Sequence, residues 1–377
     1  MSTILIVGGV GPDGRPFDLS VVDGFTSASR APGPHFNAAG LTVVPGFVDI
    51  QTNGGWGHDF TEEPCSIWEV GDLLPSTGVT SFCPTIITAP DDRVRAAQQA
   101  LRNRPAGYTG AEPIGLHVEG PHLSFPGRGT HSADLLRSPS ESTLTSESVV
   151  ITTIAPELDG ARELIEAMTN AGVHVSIGHS HASASEANSG IEAGARLATH
   201  LFNAMPPITG REPGIIGAVL SDERVRFSLI VDAVHLAPEV VRMAWQGRAD
   251  RLILITDAMA ATGMPDGRYE IGDVGVTSAR GAVRNDDGDL AGSVLTMDVA
   301  LKLLQEQTGA PLALAIAAAT STPAAAVGRT DIGVLSPGAR GDVALLEGDT
   351  VAATIVRGNV VHLLDPERLE GGPGAAS

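Results

Sequence analysis

Four residues far apart in the chain, Glu119, His179, His200 and Asp257, carry the groups needed to hold a divalent cation and to move a proton beside it. One carboxylate and two imidazoles form a ligand set that leaves room for water. Water on such a cation has its pKa lowered to about 7, and a further carboxylate, Asp257, could take its proton. Hydrolysis is the chemistry this set predicts. Zinc is the first expectation for the ion, and iron, manganese or cobalt would accept the same donors. A lone histidine after a strand is more often a core or loop residue than a ligand. The metal reading rests on two histidines and a carboxylate closing strands together. Asp257 has an alternative as the N-cap of a following helix.

Each of the four ends a short apolar run that reads as a buried strand, over residues 114–119, 173–179, 196–200 and 252–257. Strands covered on both faces read as near-continuous hydrophobic runs, and in a (β/α)8 barrel the catalytic side chains stand at the C-terminal strand ends. Further runs at 43–50, 80–85, 151–155 and 227–232 complete eight strands, alternating with helix-like stretches. The predicted fold is α/β: a TIM barrel over residues 45–334. Residues 1–44 and 335–377 carry short strand-like runs between glycine and proline turns, which predicts one small β-sandwich domain built from both ends. The last residues, 370–377, are rich in Gly, Pro and Ala and read as an unstructured tail.

Composition narrows the partners. The 377 residues hold 44 acidic and 24 basic side chains, a formal net charge of −20. That argues against nucleic acid or an anionic membrane, whose phosphates require clustered Lys and Arg. Lys302 is the sole lysine, so recognition of an anionic ligand must rest on Arg, His or backbone N–H groups. No run of about 20 apolar residues and no basic leader is present, which predicts a soluble cytoplasmic protein. Cys65 and Cys83 are too few for a disulfide framework and read as ordinary small apolar residues.

Several motifs carry a resemblance. Val44-Pro-Gly-Phe-Val-Asp-Ile50, His117-Val-Glu-Gly-Pro121, Gly178-His-Ser180, Thr199-His-Leu-Phe-Asn-Ala-Met205, Thr209-Gly-Arg-Glu-Pro-Gly214, Asp232-Ala-Val-His235 and Leu254-Ile-Thr-Asp-Ala258 stand in this order. Together they resemble the N-acetylglucosamine-6-phosphate deacetylase family of the amidohydrolase superfamily, and the similarity continues through Thr320-Ser-Thr-Pro-Ala324 to Gly338-Ala-Arg-Gly-Asp-Val343. Pro-Gly-Phe-Val-Asp marks only the superfamily, whereas Glu-Gly-Pro followed by Thr-Gly-Arg-Glu-Pro-Gly is specific.

The resemblance implies one divalent metal per subunit on Glu119, His179 and His200, with Asp257 as acid/base. It implies that Thr130 and His131 contact substrate, the histidine polarising the acetamide carbonyl. Asn203 and the Ala204 backbone would contact the sugar phosphate, Arg211 and His235 would hold its phosphate, and Leu295, Thr296 and Met297 would line the site. One phosphate contact in the family comes from the partner subunit, so Arg211 could act across a homodimer. The residues themselves leave alternatives open. Arg211 between glycines suits bidentate phosphate recognition, with His235 as a second donor, or a surface salt bridge with Glu212. His131 could be a plain loop histidine, although Gly127 and Gly129 before it fit a loop that closes on substrate.

One departure bears on the metal count. Many amidohydrolases carry His-x-His after the first strand and bind a second ion, whereas this chain has Gln51-Thr-Asn53. Amides are poor ligands beside imidazole, so a single ion is predicted, with Gln51 bonding the water or serving structure. His58 is read as a loop histidine. The implied reaction is hydrolysis of a linear amide: a metal-activated water gives its proton to Asp257 and attacks the acetyl group of N-acetylglucosamine 6-phosphate. The oxyanion would meet His131, and Asp257 would then protonate the departing amine. The alternatives are the galactosamine epimer, another N-acyl substrate such as an N-acyl amino acid, a metal-free binding barrel, and a nucleobase deaminase. The last usually keeps His-x-His.

Overall fold

The structure is a computed structural model that describes residues 3–30 and 33–370. Its centre is the expected barrel. The eight parallel strands are β1 Phe47–Thr52, β2 Val79–Ile86, β3 Leu116–Glu119, β4 Val149–Ile154, β5 His174–Ile177, β6 Leu197–Ala198, β7 Arg226–Ile230 and β8 Leu252–Ile255. Consecutive strands pair from β1 to β8. The ring closes just beyond the last ladder, where Thr52 bridges Ala258 in parallel. There Asp257 donates its N–H to the Gln51 carbonyl at 3.0 Å and Asn53 donates to that of Ala258 at 2.7 Å. Asp49, fully buried on β1, staples the same seam by accepting the Thr52 hydroxyl at 2.9 Å and the Thr256 N–H at 3.3 Å.

Apolar side chains of the strands and of the surrounding helices form one core, including Phe47, Phe82, Ile151, Phe227 and Leu254, all 1% exposed or less. A helix follows each strand except β3, as Ala184–Ala193 does β5; that helix opens with a Ser183–Glu186 capping box. After β3 the alternation predicts a helix, but residues 120–148 form a long loop with two single 3-10 turns. This loop is the segment that holds Thr130 and His131. After β8 the chain makes a three-stranded excursion, β9 Gly267–Ile271, β10 Val274–Ala279 and β11 Ala282–Asn285, before the helix Met297–Thr308.

The chain ends meet in one nine-stranded sheet, joined where Val343–Glu347 runs antiparallel to Thr42–Pro45 with Leu345 opposite Val43. Ile6, Phe36, Val43, Leu345 and Ile355 form its separate core. The expected sandwich is thus a single continuous sheet around its own apolar filling. Glu370, expected in the tail, pairs with His35 in a short antiparallel strand, and residues 371–377 lie outside the described residues. Cys83 is buried as expected, whereas Cys65 is exposed at a 3-10 turn.

Candidate active site

The strands end earlier than their apolar runs suggest. Only Glu119 is the last residue of a ladder; His179, His200 and Asp257 each stand two residues beyond β5, β6 and β8. All three have left-handed backbones, with φ of 48°, 29° and 50°. Non-glycine residues in this region carry strain, and such residues cluster where a side chain must be aimed. No helix begins after Asp257, which disposes of the N-cap alternative.

The left-handed turns bring three donor atoms together at the barrel mouth. His179 Nε2 and His200 Nε2 each lie 3.2 Å from Glu119 Oε1, and 3.0 Å from one another. The four chemical residues are between 3% and 7% exposed. Burial alone would raise the Glu119 carboxyl, but hydrogen bonds and charge from His179, then His200, hold it well below the usual carboxylate range. His179 donates Nδ1–H to the Gly127 carbonyl at 2.9 Å, so its Nε2 presents a lone pair to the cluster. His200 Nδ1 is buried without a partner.

A divalent cation fits these donors. Tetrahedral coordination with bonds of about 2.0–2.2 Å sets ligand atoms about 3.3 Å apart, close to the spacing found. One cation would satisfy three converging electron pairs, which a single proton cannot. Glu119, His131 and His179 also bring one ligand atom each within 4.8 Å. His131 is the weaker third ligand, because its Nδ1 accepts the Thr88 N–H at 3.3 Å. Its hydrogen therefore sits on Nε2, 3.7 Å from Glu119 Oε2. Burial, then the charge of His179, pushes His131 down to about 3, so the ring is a neutral donor facing the site.

Asp257 is held by both amides of β1. Gln51 Nε2 donates to Asp257 Oδ1 at 3.0 Å and to Glu119 Oε1 at 3.0 Å, while Asn53 Nδ2 donates to the same Asp257 oxygen at 2.7 Å. Both bonds fall on Oδ1, which leaves Oδ2 for a reacting proton. Burial, then the charge of Glu119, pushes Asp257 up to about 6. A carboxylate fixed beside a cation-binding cluster, at the mouth of a parallel barrel, has the parts for metal-assisted hydrolysis.

Comparison with known proteins agrees. Residues 42–361 match the Amidohydrolase family. The N-acetylglucosamine-6-phosphate deacetylase of Rattus norvegicus is 36% identical over 347 residues, covering 86% of this chain and 84% of that protein. An enzyme of that name from Mycobacterium smegmatis, as a mutant in complex with N-acetyl-D-glucosamine-6-phosphate, superposes with a TM-score of 0.85 at 34% identity, over 96% of this chain and 100% of that one. The N-acetylgalactosamine-6-phosphate deacetylase of Escherichia coli O157:H7 is 34% identical over 314 residues, 81% of this chain and 83% of that protein.

The chain belongs to the N-acetylglucosamine-6-phosphate deacetylase family of amidohydrolases.

A cavity of about 510 Å3 opens over the Glu119, His179 and His200 cluster. Thr130, His131, Asn203, Ala204 and His235, the residues for which the resemblance implies substrate contacts, line it. Asn203 Nδ2 donates to the His200 carbonyl at 3.2 Å, and His235 Nδ1 meets Asp232 Oδ2 at 2.7 Å. Arg211 does not line it: the side chain is exposed. Glu212 caps the Ala184 and Gly214 N–H groups instead of pairing with Arg211. Leu295, Thr296 and Met297 are also absent from the wall; Leu295 and Met297 are buried in the barrel core, and Gly292 and Leu290 line the cavity nearby. His58, expected in a loop, begins the two-residue strand His58–Asp59 opposite Gly55, with Glu63 and Glu69 beside its ring, and does not line the cavity. Sequence reasoning missed Arg128 and Arg284, which both face the cavity.

Proposed function

We propose that the chain hydrolyses N-acetyl-D-glucosamine 6-phosphate to acetate and D-glucosamine 6-phosphate, a step of amino-sugar breakdown. One observation carries the reading: a three-donor cluster stands beside a carboxylate that two amides fix through one oxygen, in a chain whose relatives carry this activity in their names. Glu119, His179 and His200 would hold one divalent ion, with zinc our choice for its nitrogen and carboxylate donors. Bound there, the ion would supply Lewis-acid polarisation and a water of lowered pKa.

The remaining steps belong to the protein. Asp257 Oδ2 takes the proton of the attacking water. His131 donates Nε2–H to the acetyl oxygen as negative charge grows on it. Asp257 then returns the proton to the sugar's amino nitrogen, because an amine anion is too poor a leaving group. Gln51 and Asn53 act as positioning residues for Asp257. Thr130, Asn203 and Ala204 line the path of the sugar, and His235 stands toward its phosphate. Arg211, exposed in its own chain, suits a phosphate contact made in the partner's cavity of a homodimer. The reading includes a cytoplasmic enzyme with a barrel over residues 45–334 and a small domain of residues 1–44 and 335–377.

Acetate release from N-acetylglucosamine 6-phosphate, its unphosphorylated form and the galactosamine epimer, with metal content of the same sample, tests this. Fast turnover of the first with about one ion per chain is expected. No turnover of any phosphorylated amide, with metal bound, would sink the substrate. Preference for the epimer would support the second reading, which the 34%-identical galactosamine relative favours.

A further inference from the structure

Two arginines face the cavity from opposite sides of its sequence neighbourhood. Arg128 belongs to the loop after β3 and Arg284 to β11 of the excursion after β8. Arg128 lies over the Phe125 ring at 4.5 Å and donates Nη1–H to the Phe125 carbonyl at 3.1 Å. Arg284 donates Nη1–H to the Gly288 carbonyl at 2.7 Å. Neither guanidinium pairs with a carboxylate among the described residues, although the chain has 44 acidic side chains against 24 basic ones. Each keeps donors to spare at a cavity mouth.

We propose that Arg128 and Arg284 form a phosphate-recognition pair supplied by the same chain as the catalytic residues. The proposal rests on the sugar-phosphate reading above and names residues which set that specificity. The chemistry of the substrate supports the placement. Its acetamide, on C2, and its phosphate, on C6, lie at opposite ends of the pyranose ring. With the acetamide against the buried Asp257 and His131, the phosphate would reach outward, toward the exposed Arg284 and the half-buried Arg128. Guanidinium forks match phosphate oxygens bidentately. Arg284 is carried by a rigid element: Ile271, Val276 and Val283 of the excursion pack on Ile87, Met259 and Ala291. Arg128 lies three residues before His131, so the loop that carries the oxyanion donor also carries one half of the pair.

The test compares Arg128→Gln, Arg284→Gln and the double variant by steady-state kinetics on phosphorylated and unphosphorylated N-acetylglucosamine, with inorganic phosphate as a competitive inhibitor. For the phosphorylated sugar we expect KM to rise about tenfold in each single variant and about a hundredfold in the double, with kcat within about twofold. The inhibition constant of phosphate should weaken in parallel, and the unphosphorylated sugar should be unaffected. Unchanged KM, or an equal loss on both sugars, overturns the pair. If the parent enzyme turns over no N-acetyl sugar, the substrate reading fails. Direct calorimetry of inorganic phosphate against the same variants then still decides whether this pair binds the anion.

Discussion

The floor and the rim of the cavity are built on different principles. On the floor most of the chemical groups are held from behind: Gly127 orients His179, Thr88 orients His131, and Gln51 and Asn53 orient Asp257, while His200 Nδ1 is the one ring nitrogen of the donor cluster left without a partner. At the rim, Arg128, Arg284 and Asn203 rest on one or two bonds to nearby backbone carbonyls and face solvent. Groups that must hold a reacting atom to a fraction of an ångström are locked by a second layer of hydrogen bonds. Groups that select among substrates need only present charge at the correct end. Reaction class is thereby fixed more tightly than substrate choice.

Removing the cation should produce the largest effect: chelation should abolish acetate release, and one equivalent of a divalent ion should restore it. Asp257→Asn comes next, with kcat lowered about 10²–10⁴-fold and KM nearly unchanged; near-normal turnover would dissolve the distinction between floor and rim. Gly127→Ala strikes the layer behind the floor. A Cβ there would stand 2.8 Å from the His179 carbonyl carbon and the Ser180 nitrogen, so the loop must withdraw its carbonyl from His179 Nδ1. Metal affinity by competition titration should fall about 10–100-fold.

Asn53→Ala sharpens the same contrast through pH. Asp257 must be ionised to take a proton, and its carboxyl is raised to about 6, so kcat/KM should fall as pH drops through that value. The Asn53 hydrogen bond lowers this pKa, and its removal should move the acidic limb to higher pH. A profile that keeps its position would reassign the limb. The smallest change is expected at Arg211→Ala: about a tenfold rise in KM for phosphorylated substrate alone.

The floor was largely legible in the sequence. Near-continuous apolar runs that each end on Glu, His or Asp are the signature of buried parallel strands feeding a mouth, and the strand count followed. What escaped was backbone direction. The left-handed turns at His179, His200 and Asp257 end the ladders two residues early, and no composition pattern announces them. Gln51 and Asn53 could have been read further: residues two apart on a strand share a face, so both amides can reach one carboxylate. The excursion carrying Arg284 is polar and alternates weakly, with no motif to mark it. A resemblance transfers positions but not side-chain directions, which is why Leu295 and Met297 were expected on the wall and lie in the core.

The seam between β1 and β8 links catalysis to the order of assembly. Glu119, His179 and His200 come from β3, β5 and β6, whereas Asp257 meets Gln51 across 206 residues of chain. Contacts of such long separation form late, after local ones have lowered the entropy of closing the loop. A refolding chain should therefore regain helix content and cation affinity before it regains turnover. Its enzymatic activity reports that the ring has shut.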